Sequence, residues 1–117
     1  MKKIILCLLI IFSACGSNKN VVKKKYKITK IENVEFSGGD GFSFEKAIII
    51  KTKNSSKGIG AEYKYLDQKY GRRGIDWKMI QQSLSYKNKK PFDVLKIKYK
   101  GKEINVYFEI SSFSGKY

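Results

Sequence analysis

Five carboxylates are the chain's main stock for proton chemistry. Asp40 and Glu45 sit in a glycine-rich stretch, "GGDGFSFE", and Asp76, Asp93 and Glu109 lie further along. Two carboxyls about 5 to 10 Å apart can hydrolyse a glycoside, one acting as acid and the other as base or nucleophile. Position in sequence does not give that separation. The plainer alternative is that Asp40 shapes a turn, while Glu45 and Asp93 pair with some of the many basic residues. "GGDG" offers one carboxylate where a calcium loop needs several oxygens at set spacing, so it reads as a plain turn.

The rest of the inventory excludes more than it offers. The 117 residues contain no histidine, so no Ser-His or Cys-His nucleophilic pair can be built. The side chain best suited to proton transfer at neutral pH is also missing. Walker-type phosphate loops and dinucleotide fingerprints are absent. No cofactor and no metal site are expected. The reading is a non-enzymatic binding or interaction module. The alternatives are a small carboxylate-dependent hydrolase acting on envelope glycans, or an inhibitor or protective factor at the cell surface.

Charge is the largest remaining feature. There are 25 Lys plus Arg against 10 Asp plus Glu, a formal net charge of +15. Arg72-Arg73, Lys87, Lys89, Lys90 and Lys102 fall in or near expected loops. Lys96, Lys98 and Lys100 alternate with Leu95, Ile97 and Tyr99, which would set them on the solvent face of a strand. Arg72, Arg73, Lys96, Lys98 and Lys100 are therefore the candidate contacts to an anionic surface. Such a row attracts phosphate and carboxylate polymers through a salt-sensitive field. The bland alternative is lysine-rich composition, with strand lysines serving to discourage edge-to-edge pairing.

The N-terminus bears on address. Met1-Lys2-Lys3 is a basic head, Ile4 to Phe12 is an unbroken apolar run, and Ser13-Ala14 are small residues before Cys15. That order describes a secretory signal, and the run is too short to span a bilayer, which needs about 20 apolar residues. Phe12-Ser13-Ala14-Cys15 resembles the lipobox of bacterial lipoproteins, with Phe12 standing where leucine is usual. The resemblance implies removal of residues 1–14 and acylation of the Cys15 sulfur. Acyl chains contribute about 0.8 kcal/mol per buried CH2, so two or more of them anchor a protein firmly. Cys7 would leave with the signal and Cys15 would be consumed, so no Cys/His metal site remains. The address implied is the bacterial cell envelope, on its periplasmic face or outer surface. In that compartment the partners would be an anionic envelope polymer or an acidic protein, and no nucleic acid.

Residues 15–25 then read as a lipidated cysteine and a polar, basic tether, and residues 26–117 as one α+β domain. Tyr26 to Phe36 alternates imperfectly, as one bent strand or two short ones. "SGGDG", residues 37–41, is a turn cluster. Ala47 to Ile50 is a short apolar run that suits a strand buried on both faces. Ile59, Tyr63, Leu66 and Tyr70 form one helical stripe, with Ser55 or Ser56 as cap and Gly71 as stop. A three-strand meander follows. Its first strand is favoured from Gln82 onward, with a second helix over 76–84 as the alternative. The parity switch from Phe92 and Val94 to Leu95, Ile97 and Tyr99 predicts a bulge near Val94-Leu95. Ile104, Val106, Phe108 and Ile110 alternate to the end. The order β-β-α-β-β-β implies a small, mostly antiparallel sheet of about five strands with one helix on one face.

"GGDGFSFEKAIII", "AEYKYL" and "YFEISSFSGK" resemble segments of a group of small, uncharacterised, exported bacterial proteins. The group more often carries an aspartate in place of Glu109 and an aromatic in place of Ser114. The resemblance spans about residues 36 to 116. It implies one exported domain and carries no activity.

Overall fold

The computed structural model describes residues 31–115. The signal-like head, Cys15, the tether and the first five residues of the expected first strand lie outside the described residues. The order is β1 (Glu35–Gly38), β2 (Ile48–Lys51), α1 (Ser55–Tyr70), β3 (Trp77–Lys87), β4 (Lys90–Tyr99) and β5 (Lys102–Glu109). This is the β-β-α-β-β-β plan expected, in one five-stranded sheet ordered β1-β2-β5-β4-β3. Every pairing is antiparallel except β2 with β5, which run parallel over only two residue pairs, Ile48↔Phe108 and Ile49↔Glu109.

Two tight turns set the meander. Asn88 and Lys89 both have positive φ, as do Lys100 and Gly101. Two left-handed residues in a row give the hairpin turn whose twist matches the strands it joins. Each strand then shows one face to α1. Leu95 and Ile97 on β4 pair across from Val106 and Ile104 on β5. With Ile48, Ile50 and Phe108 they meet Ala61, Tyr65, Leu66 and Tyr70 of the helix in one core. The core cluster runs from Val34 to Phe113, so a chain beginning at Gly16 retains all of it and folds as a unit.

Several local expectations need correction. Of the strand or strands expected over 26–36, the described part turns at Asn33, whose φ is 61°, and β1 then runs from Glu35 through Gly38, so the 37–41 turn cluster begins as strand. β2 is not buried on both faces: Ile48 and Ile50 are enclosed, but Ile49 points the other way and is 38% exposed. The helix cap is Asn54, whose Oδ1 accepts from the Lys57 N–H at 3.0 Å; asparagine caps at least as well as serine. The buried stripe is Gly58, Ala61, Glu62, Tyr65, Leu66 and Tyr70, rotated from the one read off Ile59 and Tyr63. Gly58 lets the Phe113 ring lie against the helix; a Cβ there would meet that ring at 2.6 Å. Gly71 ends the helix as expected, its N–H donating to Asp67 O.

β3 starts at Trp77, so residues 77–84 are strand throughout, and neither a second helix nor a later start is found. Nor is there a bulge at Val94-Leu95. The register shift falls between Met79 and Gln81 on β3. The parity switch in β4 has another cause: the strand is buried on both sides at different points. Leu95 and Ile97 lie under the helix, while Phe92 packs on the opposite, open face against Phe44, ring centroids 5.1 Å apart.

The two ends of the sheet differ. At one end lie the helix N-terminus, the Asn88-Lys89 turn and the entry of the chain into β1. At the other lie the helix C-terminus, the Lys100-Gly101 turn and the start of β3.

Candidate functional site: a basic end and an aromatic-floored pocket

The register gathers the basic candidates. Lys78 stands directly opposite Lys98, Tyr99 is paired with both Trp77 and Lys102, and Glu103 faces Lys98. Arg72 and Arg73 follow the helix stop at this same end, and Lys100 forms the turn. Arg72, Arg73, Lys98 and Lys100 thus share one end of the sheet with Lys78 and Lys102, with Asp76 and Glu103 as the nearby acids. Lys78 and Lys98 face the open side, however, whereas Lys102 and Arg73 lie on the helix side, and Lys87, Lys89 and Lys90 fall at the opposite end. Lys96 lies further along the open face, half-buried between Gln81 and Asn105. Two lysines placed opposite each other repel, and an anion between them would relieve that.

The turn that presents the arginines is built with care for its polar groups. Trp77 donates from Nε1 to Gly71 O at 2.9 Å. Asp76 Oδ2 accepts from the Arg72 N–H at 2.7 Å, and the Arg72 Nε lies 3.8 Å from the same oxygen. The Arg73 guanidinium stacks 4.6 Å from the Tyr63 ring centroid and 5.9 Å from that of Trp77. Lys100 Nζ lies 5.2 Å over Tyr99. Tyr99 in turn packs edge-on against Tyr70, whose buried hydroxyl has no hydrogen-bond partner and is pushed up to about 12 by desolvation.

At the far end, a pocket of about 510 Å³ opens between the 38–47 loop and the β3–β4 hairpin. Phe44 and Phe92 give it an aromatic floor, Ile49 an aliphatic one, and Glu45, Lys87 and Glu109 polar walls. Phe44 also meets Tyr107, ring centroids 4.7 Å apart. Glu45 Oε1 lies 2.7 Å from Lys87 Nζ, and that ammonium sits 5.1 Å over Phe44.

The five carboxylates do separate jobs. Asp40 Oδ1 accepts from the Phe42 N–H at 3.0 Å, the plain turn expected. Asp76 caps the Arg72 turn. Glu109 Oε1 accepts from Ser111 Oγ. Glu45 shares the pocket with Glu109, but its hydrogen bond to Lys87 holds its carboxyl below the ordinary carboxylate range. A carboxylate held ionised is a poor general acid. Replacing Lys87 with methionine should let the Glu45 pKa rise toward its ordinary value. Carbon-detected NMR titration of the side chain would follow this, and an unmoved pKa would mean the ion pair is a passing contact.

Asp93 has the most unusual neighbour, and sequence reasoning missed it. Glu62 is 0% exposed on the inner face of the helix, and neither carboxyl oxygen has a hydrogen-bond partner. Burial first, and then nearby Asp93, push its pKa up to about 10. Its signal was its place four residues before Leu66, on the same helical stripe. An enclosed acid of this kind cannot touch a substrate.

Among the described residues, then, fold and site define a small α+β domain with a basic end and a pocketed end. Comparisons of the chain with family models, with curated proteins and with solved structures find no match.

Proposed function

We propose that the protein is an exported bacterial lipoprotein, anchored through Cys15, and that its folded part is a non-enzymatic module that binds an anionic polymer of the cell envelope. One observation supports the binding role above the others. Strand register and the turn after the helix bring six cations to one end of the sheet, Lys78 and Lys98 on its open face, Lys102 and Arg73 on the helix side, with Arg72 and Lys100 in the turns between. Within residues 31–115 there are 16 basic and 10 acidic side chains, so the folded part is only moderately charged. The arrangement of cations, more than their total, is what would give it a preferred anion site. Residues 16–30 add six lysines and no acid, which suits a tether running over anionic headgroups. The lipobox resemblance supports the anchor, and the resemblance to small exported bacterial proteins agrees with the address.

The hydrolase reading has one supporting feature, the shared pocket of Glu45 and Glu109. Against it, the Lys87 ammonium holds Glu45 ionised, which disfavours Glu45 as the acid of such a pair.

The test compares two variants of equal net charge on immobilised polyphosphate. Arg72, Lys98, Lys100 and Lys102 are changed to glutamine in one, and Lys51, Lys53, Lys57 and Lys64 in the other. The first is expected to elute at lower salt, its log–log salt slope falling by roughly 0.7–0.9 per contact removed. The second should stay close to the parent. Equal losses would mean that bulk charge alone holds the protein, and the proposal fails. Intact-mass analysis of protein from its native host tests the anchor separately: residues 1–14 absent and diacylglyceryl on Cys15 are expected.

A further inference from the structure

β3 is an edge strand of 11 residues. Edge strands carry unpaired backbone donors and acceptors and are usually blunted by charge, proline or a cover. This one is not. Between Lys78 and Lys87, the run Met79–Tyr86 contains no charged residue and no proline. Its single irregularity lies between Met79 and Gln81, so Gln81 to Lys87 is regular strand.

Apolar exposure concentrates on the same edge. Seven large hydrophobic side chains are exposed among the described residues, and Ile80, Leu84 and Tyr86 are on β3 itself, Leu84 at 54% and Tyr86 at 68%. Ile75 immediately precedes the strand. Ile59 is one helical turn before Tyr63, whose hydroxyl donates to Gln82 Oε1 at 3.2 Å. Five of the seven therefore border one edge. Apolar surface gathered in this way marks a contact site.

We infer that β3 pairs antiparallel with β3 of a second copy of this chain, around a two-fold axis at Leu84, joining two sheets into one of ten strands. The occupant follows from the strand's own pattern. An uncharged run gives a foreign partner no charge to match, whereas it matches itself. With Leu84 opposite Leu84 of the second copy, Gln82 faces Tyr86, Ser83 faces Ser85 and Gln81 faces Lys87. Each residue meets one from the same face of the sheet, as strand pairing requires, and no like charges are opposed. Neighbouring registers do worse. A two-fold axis at Ser83 runs into the irregularity at Ile80 after Gln81↔Ser85. An axis at Ser85 reaches the end of the strand after Ser83↔Lys87. A pairing that sets Lys78 against Lys87 places like charges together. The Leu84 register gives the longest regular ladder. It is independent of the anion-binding proposal, since β3's free edge contacts the basic end only at Trp77 and Lys78.

A chain from Gly16 to Tyr117 contains no cysteine, so one introduced thiol is unique. Opposed Cα atoms in an antiparallel pair lie about 4.5–5.5 Å apart, within disulfide range. Leu84→Cys should give a covalent dimer rapidly under mild oxidation, and Lys64→Cys, on the exposed side of the helix, should not. Light scattering of the unmodified chain should give twice the monomer mass, and more fully as salt screens the net positive charge. Leu84→Lys should be a monomer that still unfolds cooperatively, because the side chain is exposed in the single chain, with a melting temperature that no longer rises with protein concentration as the parent's does. A monomeric parent chain, a dimer that survives Leu84→Lys, or equal crosslinking at positions 84 and 64 would each overturn the pairing.

Discussion

Glu62→Met makes the protein more stable, by about 1–3 kcal/mol. Glu62 has lost its water, its oxygens meet no hydrogen-bond geometry, and the polar side chain close by, Asp93, is itself an acid; removing a group so poorly compensated recovers that penalty. Methionine is unbranched, of similar length, and fits irregular gaps. For a domain of this size the gain appears as roughly 4–8 °C in melting temperature per kcal/mol. The parent chain also has a pH signature. Glu62 stands at about 10 in the fold against 4.5 for the free group. Between those values the folded chain keeps a proton that the unfolded chain has released. The unfolded state then binds fewer protons, so the parent is most stable, with respect to this group, below pH 4.5 and loses stability progressively as pH rises toward 10. Urea unfolding at about pH 5 and about pH 9 should show this decline in the parent and a flatter profile in Glu62→Met. Lower stability in the methionine variant, with Glu62→Gln unchanged, would show that the carboxyl has a good partner in solution.

Phe108→Ala is expected to be the most damaging single change described here, at about 3–5 kcal/mol. Phe108 is fully buried on β5, the strand that joins the two parts of the sheet. It pairs with Ile48 across the short parallel seam and meets the Tyr65 ring edge-on, centroids 5.6 Å apart. Truncation opens a cavity where strand pairing is thinnest, and small domains hold only about 5–15 kcal/mol in total. Tyr107, one residue earlier, faces the open side and is half-buried against Phe44. Tyr107→Ala should cost under half as much, about 1–2 kcal/mol. Denaturant midpoints measure both. Comparable losses would mean the two faces of β5 contribute alike, contrary to the burial pattern.

The architecture was legible because its signals were local. Ile104, Val106 and Phe108 alternate cleanly, Gly71 stops a helix, and Lys100-Gly101 can turn a hairpin. Failures arose where one cue served two causes. Phe92 and Val94 switch parity because an aromatic from a distant loop covers one face, and no local pattern carries that. Glu62 was not singled out, because burial of a carboxyl near Asp93 depends on how the helix is rotated over the sheet. Asn54 was passed over for adjacent serines of equal capping quality. The basic candidates were legible as residue types, but their gathering at one end needed the β3–β4 register, which a shift at Met79-Gln81 conceals. The carboxylates were legible as a set and misleading as a pair, since Asp40 and Glu45 serve a turn and an ion pair.

The chain enters β1 at one end of the sheet and presents Arg72, Arg73, Lys98 and Lys100 at the other. Were the chain held through Cys15 and engaged at that far end, as proposed above, it would be pulled lengthwise along its strands. Hydrogen bonds loaded in that direction must break together, which makes the long β3–β4 and β4–β5 ladders strong. The two-residue join between β2 and β5 has few bonds to share the force. Under tension the β1–β2 hairpin would slide off first, leaving the three-stranded meander intact on its target and the leash paid out by the length of that hairpin.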